Sequence, residues 1–263
     1  MPSLFDSRAK LLIGVVHLRP LPGSPRWLGD LDAVIRFAVE DAQAYERGGA
    51  HALFLENFGD VPFTKGAVGP ETVAAMAAAG RAVRAAVKLP LGFNVLRNDA
   101  RAALALCAAC HGEFIRVNVH TGAMLTDQGL IEGNAFETLR YRRQICPPAR
   151  ILADVHVKHA VPLGQWDIGI SARDALERGL ADALIISGTG TGVAADRADL
   201  ERVRAACPEA KILLGSGVAL ANVEDYLSLA DGCIVGSSLK RCGKLYNPVD
   251  PRRVAALAKA LAG

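Results

Sequence analysis

Short apolar segments rich in Val, Ile and Leu recur at nearly even intervals along the chain, and a longer Ala-rich segment with helical spacing follows each of them. Because the short segments are continuously apolar, they indicate parallel strands buried on both faces. The eight predicted strands are residues 11–17, 51–56, 90–95, 113–119, 150–157, 182–187, 211–214 and 232–235. The predicted helices are residues 31–47, 71–87, 100–110, 135–146, 171–178, 200–206, 222–228 and 251–261.

Eight consecutive strand–helix units with right-handed crossovers predict a closed (β/α)₈ barrel, the TIM barrel. No linker interrupts the pattern, so residues 1–263 are expected to form a single domain. The alternative is an open doubly wound sheet, whose first strand usually leads into a G-x-G-x-x-G turn. Here the first strand ends in Gly14-Val15-Val16-His17, which favours the barrel.

Composition narrows the possible partners. The chain has 30 Lys+Arg and 27 Asp+Glu, a net charge of +3, and Arg140, Arg142 and Arg143 form only a short basic cluster on one helix, so nucleic-acid binding is not expected. No apolar segment approaches the roughly 20 residues of a membrane span, and no signal peptide is recognisable. A soluble cytoplasmic protein with six free cysteines is therefore expected. Cys107-Ala108-Ala109-Cys110-His111 matches the haem-attachment motif, but attachment needs export, so no haem is expected.

The active site of such a barrel lies where the carboxyl ends of the strands meet. Polar residues follow most of the predicted strands at that end. The candidate catalytic residues are His17, Glu56, Asp154, His156 and Lys158, and the candidate substrate-binding residues are Asn94, Asn118, Ser187 and Gly188. Long loops at this end, residues 18–30, 58–70 and 120–134, are expected to contribute lids and further substrate contacts.

Glycine-rich turns after the last strands predict a phosphate site. In barrels of this type the loops after strands seven and eight often bind phosphate through backbone N–H groups. The candidate phosphate-binding residues are Gly215, Ser216, Gly217, Gly236 and Ser237. Tight turns alone can also require glycine, and that alternative stays open.

Lys158 is the most suggestive side chain for chemistry, because a lysine in a partly buried mouth can have a lowered pKa and form a Schiff base. It can equally pair with the charge of a phosphate. Asp154, His156 and Lys158 alternate, so an extended strand would place them on one face, where a carboxylate and an imidazole can move a proton. His17, Glu56, Asp154 and His156 can also bind a divalent metal, although their spacing matches no metal motif.

Longer segments of the chain resemble the BtpA family, which includes the SgcQ-like proteins. The resemblance rests on residues 14–23 (GVVHLRPLPG), 56–60 (ENFGD), 93–99 (FNVLRND), 114–119 (FIRVNV), 126–133 (TDQGLIEG), 153–159 (ADVHVKH), 215–218 (GSGV) and 235–240 (VGSSLK). It implies a barrel of the ribulose-phosphate-binding type. The family takes its name from a factor needed for stable accumulation of photosystem I proteins, whereas the SgcQ proteins accompany sugar-metabolism genes.

Two functions are therefore expected as alternatives. The first is an enzyme acting on a small phosphorylated metabolite by aldol cleavage, isomerisation or related proton transfer, with no cofactor certain and a divalent metal possible. The second is a non-catalytic biogenesis or stability factor for a membrane complex such as photosystem I. The convergent ionisable groups favour the enzyme, since burying them costs stability unless they are paired or used. Barrels commonly associate, so a homo-oligomer is expected.

Overall fold

The computed structural model describes residues 9–263, and its central element is a closed barrel of eight parallel strands. The first eight residues of the predicted domain lie outside this range. The strands are β1 (Leu11–His17), β2 (Ala52–Glu56), β3 (Leu91–Asn94), β4 (Phe114–Val117), β5 (Arg150–Val155), β6 (Ala183–Ser187), β7 (Ile212–Gly215) and β8 (Gly232–Val235). Neighbours follow chain order, and pairing of β8 with β1 closes the barrel. The predicted (β/α)₈ barrel is confirmed.

Helices lie outside the strands in the predicted order. They are α1 (Leu31–Arg47), α2 (Pro70–Ala86), α3 (Ala100–Cys110), α4 (Ala135–Ile145), α5 (Ile168–Arg173), α6 (Arg197–Ala206) and α7 (Pro251–Ala262), and a π-helical turn, Asp174–Arg178, continues α5. Both α5 and α6 begin three residues earlier than predicted, because Asp167 accepts from the Ile170 N–H and Asp196 from the Ala198 N–H. Such aspartate caps satisfy N–H groups that have no partner within the helix.

The predicted helix at 222–228 is wrong. After β7 the chain makes only a short 3₁₀ turn, Val223–Tyr226. The Asn222 side chain explains the difference, since it accepts from the Ala219 N–H at 2.9 Å and donates to the Gly217 carbonyl at 2.9 Å. These bonds hold the chain in a compact turn, and an asparagine that bonds to its local backbone competes with helix formation.

The barrel interior is packed from its amino-terminal end upward. The Phe54 and Phe114 rings meet edge to face with centroids 4.8 Å apart, beside apolar side chains from the other strands. Gly92 lies against Phe114 so closely that a Cβ there would lie 2.3 Å from the ring. A second, larger apolar layer joins the outer faces of the strands to the helices. Open space is therefore left at the carboxyl ends of the strands, and this end is called the mouth below.

A small antiparallel sheet lies beside the mouth, in a segment predicted to be a long loop. Ala123–Thr126 pairs with Gly129–Glu132 as a hairpin, and Ala160–Pro162 adds a third strand beside the first. Met124 and Ile131 of the hairpin pack on Val119 and Val157. This apolar contact fixes the hairpin over the ends of β4 and β5.

All six cysteines are free thiols in the structure, and five of them are buried. Cys107 Sγ donates to the Phe114 carbonyl at 3.3 Å, and Cys110 Sγ donates to the Ala77 carbonyl at 3.6 Å. Burial raises the pKa of the Cys107 thiol. These two cysteines thus pack α3 against its surroundings. No helix within residues 9–263 is both long and apolar enough to cross a membrane.

Candidate functional site

A buried ion pair lies at the centre of the mouth. Arg116, from β4, donates from Nε and a terminal nitrogen to the two oxygens of Asp154 on β5, both at 2.8 Å. Asn118 Nδ2 and Ser187 Oγ also donate to this carboxylate, at 3.1 and 3.3 Å. Burial alone would lower the pKa of the Arg116 guanidinium, but the adjacent carboxylate outweighs burial and raises it. Because four hydrogen bonds engage Asp154, its carboxylate is suited to orienting Arg116 and not to exchanging protons.

A second carboxylate, Glu56 at the end of β2, remains better placed for proton transfer. Asn94 Nδ2 donates to its Oε2 at 2.5 Å, and His17 Nε2 lies 3.8 Å from its Oε1. Burial, together with the positive charges of Lys240, Lys158 and Arg116, lowers the pKa of His17 well below its ordinary value of 6.5. The imidazole is therefore neutral at pH 7. Its Nδ1 is buried and has no hydrogen-bond partner.

The chain after β5 departs from the predicted geometry. The strand ends at Val155, and His156 has φ of +51°, so the alternation that was to place Asp154, His156 and Lys158 on one face is broken. His156 Nε2 instead lies 3.0 Å from Ser171 Oγ, in a separate small cavity beside the hairpin. A strand extended to Lys158, the condition for one shared face, is therefore absent: Asp154 and His156 both line this small cavity, and Lys158 does not.

Lys158 lies at the junction of two cavities of the mouth. Burial, with Arg116 nearby, lowers the pKa of its amine. The first cavity, of about 270 Å³, and the second, of about 510 Å³, share the lining residues Glu56, Arg116, Lys158 and Thr191. The two cavities are thus halves of one cleft, with these ionisable side chains where they meet.

The glycine-rich turns line the first cavity. Its wall includes Ser216, Gly217, Gly236 and Ser237, four of the five predicted phosphate-binding residues. Gly217 has φ of +66°, and a Cβ there would lie 2.2 Å from the Ala194 nitrogen. A Cβ on Gly236 would lie 2.3 Å from His17 Cε1. Close packing therefore requires both glycines whether or not a phosphate binds, and the phosphate site stays a prediction.

Three further predicted residues do not line either cavity of the cleft: Ser187, Gly188 and Gly215. A Cβ on Gly215 would lie 2.7 Å from Ser187 Oγ, and Ser187 itself bonds to Asp154. Gly188 lies against the Val193 carbonyl, 2.3 Å from where its Cβ would be. Ser216 Oγ donates to the Gly190 carbonyl at 3.1 Å and so holds the loop after β6. Direct substrate contact by Ser187 and Gly188 stays a prediction.

The second cavity is more apolar on one side. Phe58, Val61, Phe63 and Leu96 form that side, and polar groups from Asn94, Arg97, Asn118, Asp127 and His159 complete the lining. The Phe58 ring also lies 4.8 Å from the His17 ring, centroid to centroid. His159 Nε2 lies 3.2 Å from Thr191 Oγ1, which joins the loops after β5 and β6 at the edge of the cleft.

Sequence reasoning missed Arg116 and Arg97. Arg116 carried a signal, because it is the one charged residue in the apolar strand Phe114–Val117, and a lone charge facing a barrel interior needs a partner or a use. Arg97 follows β3 in an irregular segment, where no periodicity indicates which way a side chain points.

The four possible metal ligands are not gathered around one point. Asp154 is engaged by Arg116, and His156 lies in the separate cavity with Ser171. Across residues 9–263, no group of three or more His, Cys, Asp and Glu side chains has an arrangement that could hold a metal ion. The side chains present therefore do not fit the predicted four-residue set.

Comparisons with known proteins agree with this architecture. Residues 8–263 match the family model described as "BtpA family". The chain is 48% identical over 251 residues to "Photosystem I biogenesis protein BtpA" of Synechocystis sp., covering 95% of this chain and 88% of that protein. It is 37% identical over 249 residues to the sgc region protein SgcQ of Escherichia coli K12, covering 93% and 91%.

Solved structures resemble the barrel at low sequence identity. Phosphoribosyl anthranilate isomerase from Thermus thermophilus superposes with a TM-score of 0.56 at 17% identity, covering 96% of this chain and 98% of that chain. A tryptophan synthase structure from Mycobacterium tuberculosis gives 0.64 at 19% identity, covering 98% and 96%. Identities this low establish the shared fold and not a shared activity.

Proposed function

The chain belongs to the BtpA family, and we propose that it is an enzyme that acts on a small phosphorylated metabolite, as a sugar-phosphate lyase or isomerase. One observation carries the proposal: the cavity lined by the glycine-rich turns opens directly onto Glu56, Arg116 and Lys158. A non-catalytic barrel has no need of ionisable groups gathered inside a cleft, because their burial costs stability.

In this proposal the turns after β7 and β8 hold the phosphate. The backbone there approaches the cavity closely at Gly217 and Gly236, and Ser237 contributes a hydroxyl donor. Gly215 lies behind the turn, close to Ser187, while Ser216 lines the cavity and bonds to the Gly190 carbonyl. Positive charge from Lys158 and Arg116 at the same cavity favours a dianion.

Lys158 carries the chemistry at the junction of the two cavities. As a neutral amine it adds to a substrate carbonyl, and loss of water then leaves a Schiff base that accepts electrons from a breaking C–C or C–H bond. As an ammonium it instead stabilises the charge that develops on a carbonyl oxygen. In both versions Glu56, oriented by Asn94, moves the proton. His17 is neutral and supplies a polar contact at the same edge.

A thermal-shift screen of the purified, metal-stripped protein tests the proposal. Sugar phosphates, the matching free sugars and divalent cations are compared, since a ligand at 100 times its Kd stabilises a protein by about 2.7 kcal/mol. We expect stabilisation by a phosphorylated compound, weakened in Ser237→Ala, which removes a hydroxyl from the cavity wall, and kept in Ser228→Ala, whose hydroxyl is exposed and lines neither cavity. If no phosphorylated compound stabilises the protein, the proposal is contradicted.

Lys158→Met separates the two versions of the chemistry. Once a substrate is identified, borohydride treatment of the wild-type protein with that substrate should add the substrate mass less one oxygen atom to the peptide containing Lys158, because imine formation releases water and reduction adds two hydrogens. Full turnover by Lys158→Met, or a wild-type protein that borohydride does not label, would exclude the Schiff base.

A biogenesis role is the second candidate, because the Synechocystis relative at 48% identity carries that name. In that case partner binding would depend on the outer surface and not on the cleft. A chain carrying Lys158→Met should then still complement loss of the wild-type gene, whereas the enzyme proposal expects this variant to fail.

We also propose a cytoplasmic, single-domain protein that associates into a homo-oligomer. The free cysteines suit a reducing compartment. Leu163 and Trp166 are 61% and 67% exposed beside the small sheet, and exposed apolar side chains close together are typical of interfaces. Light scattering of the purified protein measures the assembly, and a monomer would contradict this part of the proposal.

A further inference from the structure

A buried arginine in the second cavity has no charged partner. Arg97 is 4% exposed, and one of its terminal nitrogens donates to the Lys158 carbonyl at 2.5 Å. No carboxylate within the described part of the chain forms an ion pair with it. The other buried arginine within residues 9–263, Arg116, is paired, since it bonds to Asp154 at 2.8 Å.

Burial of an unpaired guanidinium is costly unless a ligand supplies the missing charge. The Lys158 carbonyl satisfies a single N–H, while a guanidinium has five donors in a planar fork. Burial lowers the pKa of Arg97 because the carboxylates of Asp154, Asp127 and Glu56 compensate for it incompletely. The side chain lines the second cavity beside Lys158, so its free donors lie where a ligand can reach them.

The two ends of the cleft suit two different anions. The first cavity presents a curved glycine-rich backbone, which suits the tetrahedral shape of a phosphate. The second cavity presents a planar fork next to the apolar side chains of Phe58 and Phe63, which suits a carboxylate. Glu56 and Lys158 line both cavities, so a substrate that spans them places its middle carbons at the proposed reacting groups.

We propose that Arg97 binds a carboxylate at one end of the substrate, which is then a phosphate ester of a hydroxy or keto acid, held at its other end by the glycine-rich turns. This inference rests on the proposed function and names its substrate class. It makes Arg97 a specificity-determining residue, because a sugar phosphate without the carboxylate would leave the guanidinium buried and unpaired.

Calorimetric titration with matched acid and polyol probes tests the inference. The pairs are 6-phosphogluconate with sorbitol 6-phosphate and 3-phosphoglycerate with glycerol 3-phosphate, which differ at the carboxylate and share the phosphate. Gluconate and sorbitol serve as the pair without phosphate. For at least one phosphorylated pair, we expect the acid to bind about tenfold or more tightly than the polyol, a factor typical of a charged hydrogen-bonded pair.

Three variants assign the preference to Arg97. Arg97→Gln should reduce it to less than twofold, and Arg97→Lys, which keeps the charge and loses the fork, should retain part of it. Arg101→Gln is the matched control, because it removes the same charge from an exposed position on α3, where Arg101 stacks on Tyr141. It should keep the full preference. Unfolding temperatures without ligand show whether each variant is folded.

The outcomes separate this inference from the proposed function. Equal binding of acid and polyol phosphates, or an unchanged preference in a folded Arg97→Gln, overturns the carboxylate site and leaves the phosphate site standing. Binding of gluconate that depends on Arg97, with no added affinity from the phosphate, supports the carboxylate site and contradicts the proposed function. If none of the six compounds binds, both are contradicted.

Discussion

The ionisable residues of the mouth form two groups: Asp154 and Arg116, which are paired with each other, and residues whose side chains keep free positions. Their bidentate contact, together with Asn118 and Ser187, uses the acceptors of the Asp154 carboxylate. The Asp154 side chain is 0% exposed and that of Arg116 is 5% exposed. Packing and hydrogen bonds together fix the positions of both side chains. In the proposed enzyme the chemistry therefore falls to Lys158 and Glu56, whose side chains keep free positions in the cleft.

His17 makes the stability of the protein depend on pH. Its pKa in the folded protein lies below 6.5, the value for an unfolded chain, so at intermediate pH the unfolded chain binds more protons. The free energy of unfolding should consequently fall as the pH is lowered from 7 through 6.5 towards the pKa of His17 in the folded protein. At pH values below that folded pKa, His17 should cause no further loss of stability. Urea unfolding between about pH 5 and 8 measures the slope.

His17→Asn should reduce this slope, because one contribution to it is gone. Burial also lowers the pKa values of His51, His120, His156 and His159, so these keep their share of the slope. His111→Asn is the control, since His111 is exposed and its left-handed φ of 54° at the end of α3 suits asparagine. An unchanged slope in His17→Asn would show that the pKa of this imidazole is not lowered by folding.

Side-chain identity at strand ends was predictable, and loop conformation was not. His17, Glu56, Asn94 and Lys158 were predicted at the mouth, and they line the two cavities. His156 was assigned to the wrong side because a positive φ at a non-glycine residue leaves no mark in the sequence. Arg97 was missed for a related reason, since its burial depends on the path of an irregular segment.

At the scale of elements, continuous apolar runs predicted all eight barrel strands to within about two residues of their observed ends. The hairpin was not predicted, because its strands, Ala123–Thr126 and Gly129–Glu132, have four residues each and only Met124 and Ile131 are buried. Two buried positions are too few to establish a period of two. The hairpin nevertheless matters for the site, since Asp127 at its turn lines the second cavity.

Replacing residues 123–132 by a short Gly-Ser bridge should leave the barrel folded. The Gly133 N–H already donates to the Gly122 carbonyl at 2.8 Å, so the two ends that need joining are adjacent. Removal exposes Val119 and Val157, which pack on the hairpin, and opens the second cavity. We expect cooperative unfolding to persist and affinity for any ligand of the second cavity to fall about tenfold.

Circular dichroism and ligand titration check this prediction. A matched control shortens the chain elsewhere: deletion of the exposed terminal Gly263 should change neither property. Loss of cooperative unfolding after the hairpin replacement would show that the hairpin is part of the barrel's core, contrary to the separate apolar cluster described above.

For the whole molecule, closure of the barrel depends on contacts between the two ends of the chain. The Tyr45 hydroxyl of α1 shares its hydrogen between the carbonyls of Val15 on β1 and Val235 on β8, at 3.1 and 3.3 Å. Burial raises the pKa of this hydroxyl, so it remains a donor. Asp41, one turn earlier, forms an ion pair with buried Lys240 and accepts from the Val249 N–H at 2.8 Å.

These contacts predict that Tyr45→Phe and Asp41→Asn both lower the free energy of unfolding, and that Asp41→Asn lowers it more. Tyr45→Phe removes one shared hydrogen bond and should cost about 1 kcal/mol. Asp41→Asn leaves the Lys240 ammonium, 2% exposed, without its counter-charge and should cost about 3 to 5 kcal/mol. Denaturant unfolding of each variant gives the comparison. Asp41→Asn costing no more than Tyr45→Phe would mean that Lys240 finds another partner or loses its proton.

The contacts of Tyr45 and Asp41 also bear on how the protein is made. The ribosome adds their partners Val235, Lys240 and Val249 between 190 and 208 residues later than these two side chains. Until then the Asp41 carboxylate lacks Lys240 and Val249, the Tyr45 hydroxyl has only the Val15 carbonyl, and β1 has one open edge. Seven strands of the barrel must therefore wait for the eighth, and this interval is when a nascent chain is most exposed to aggregation and has most use for a chaperone.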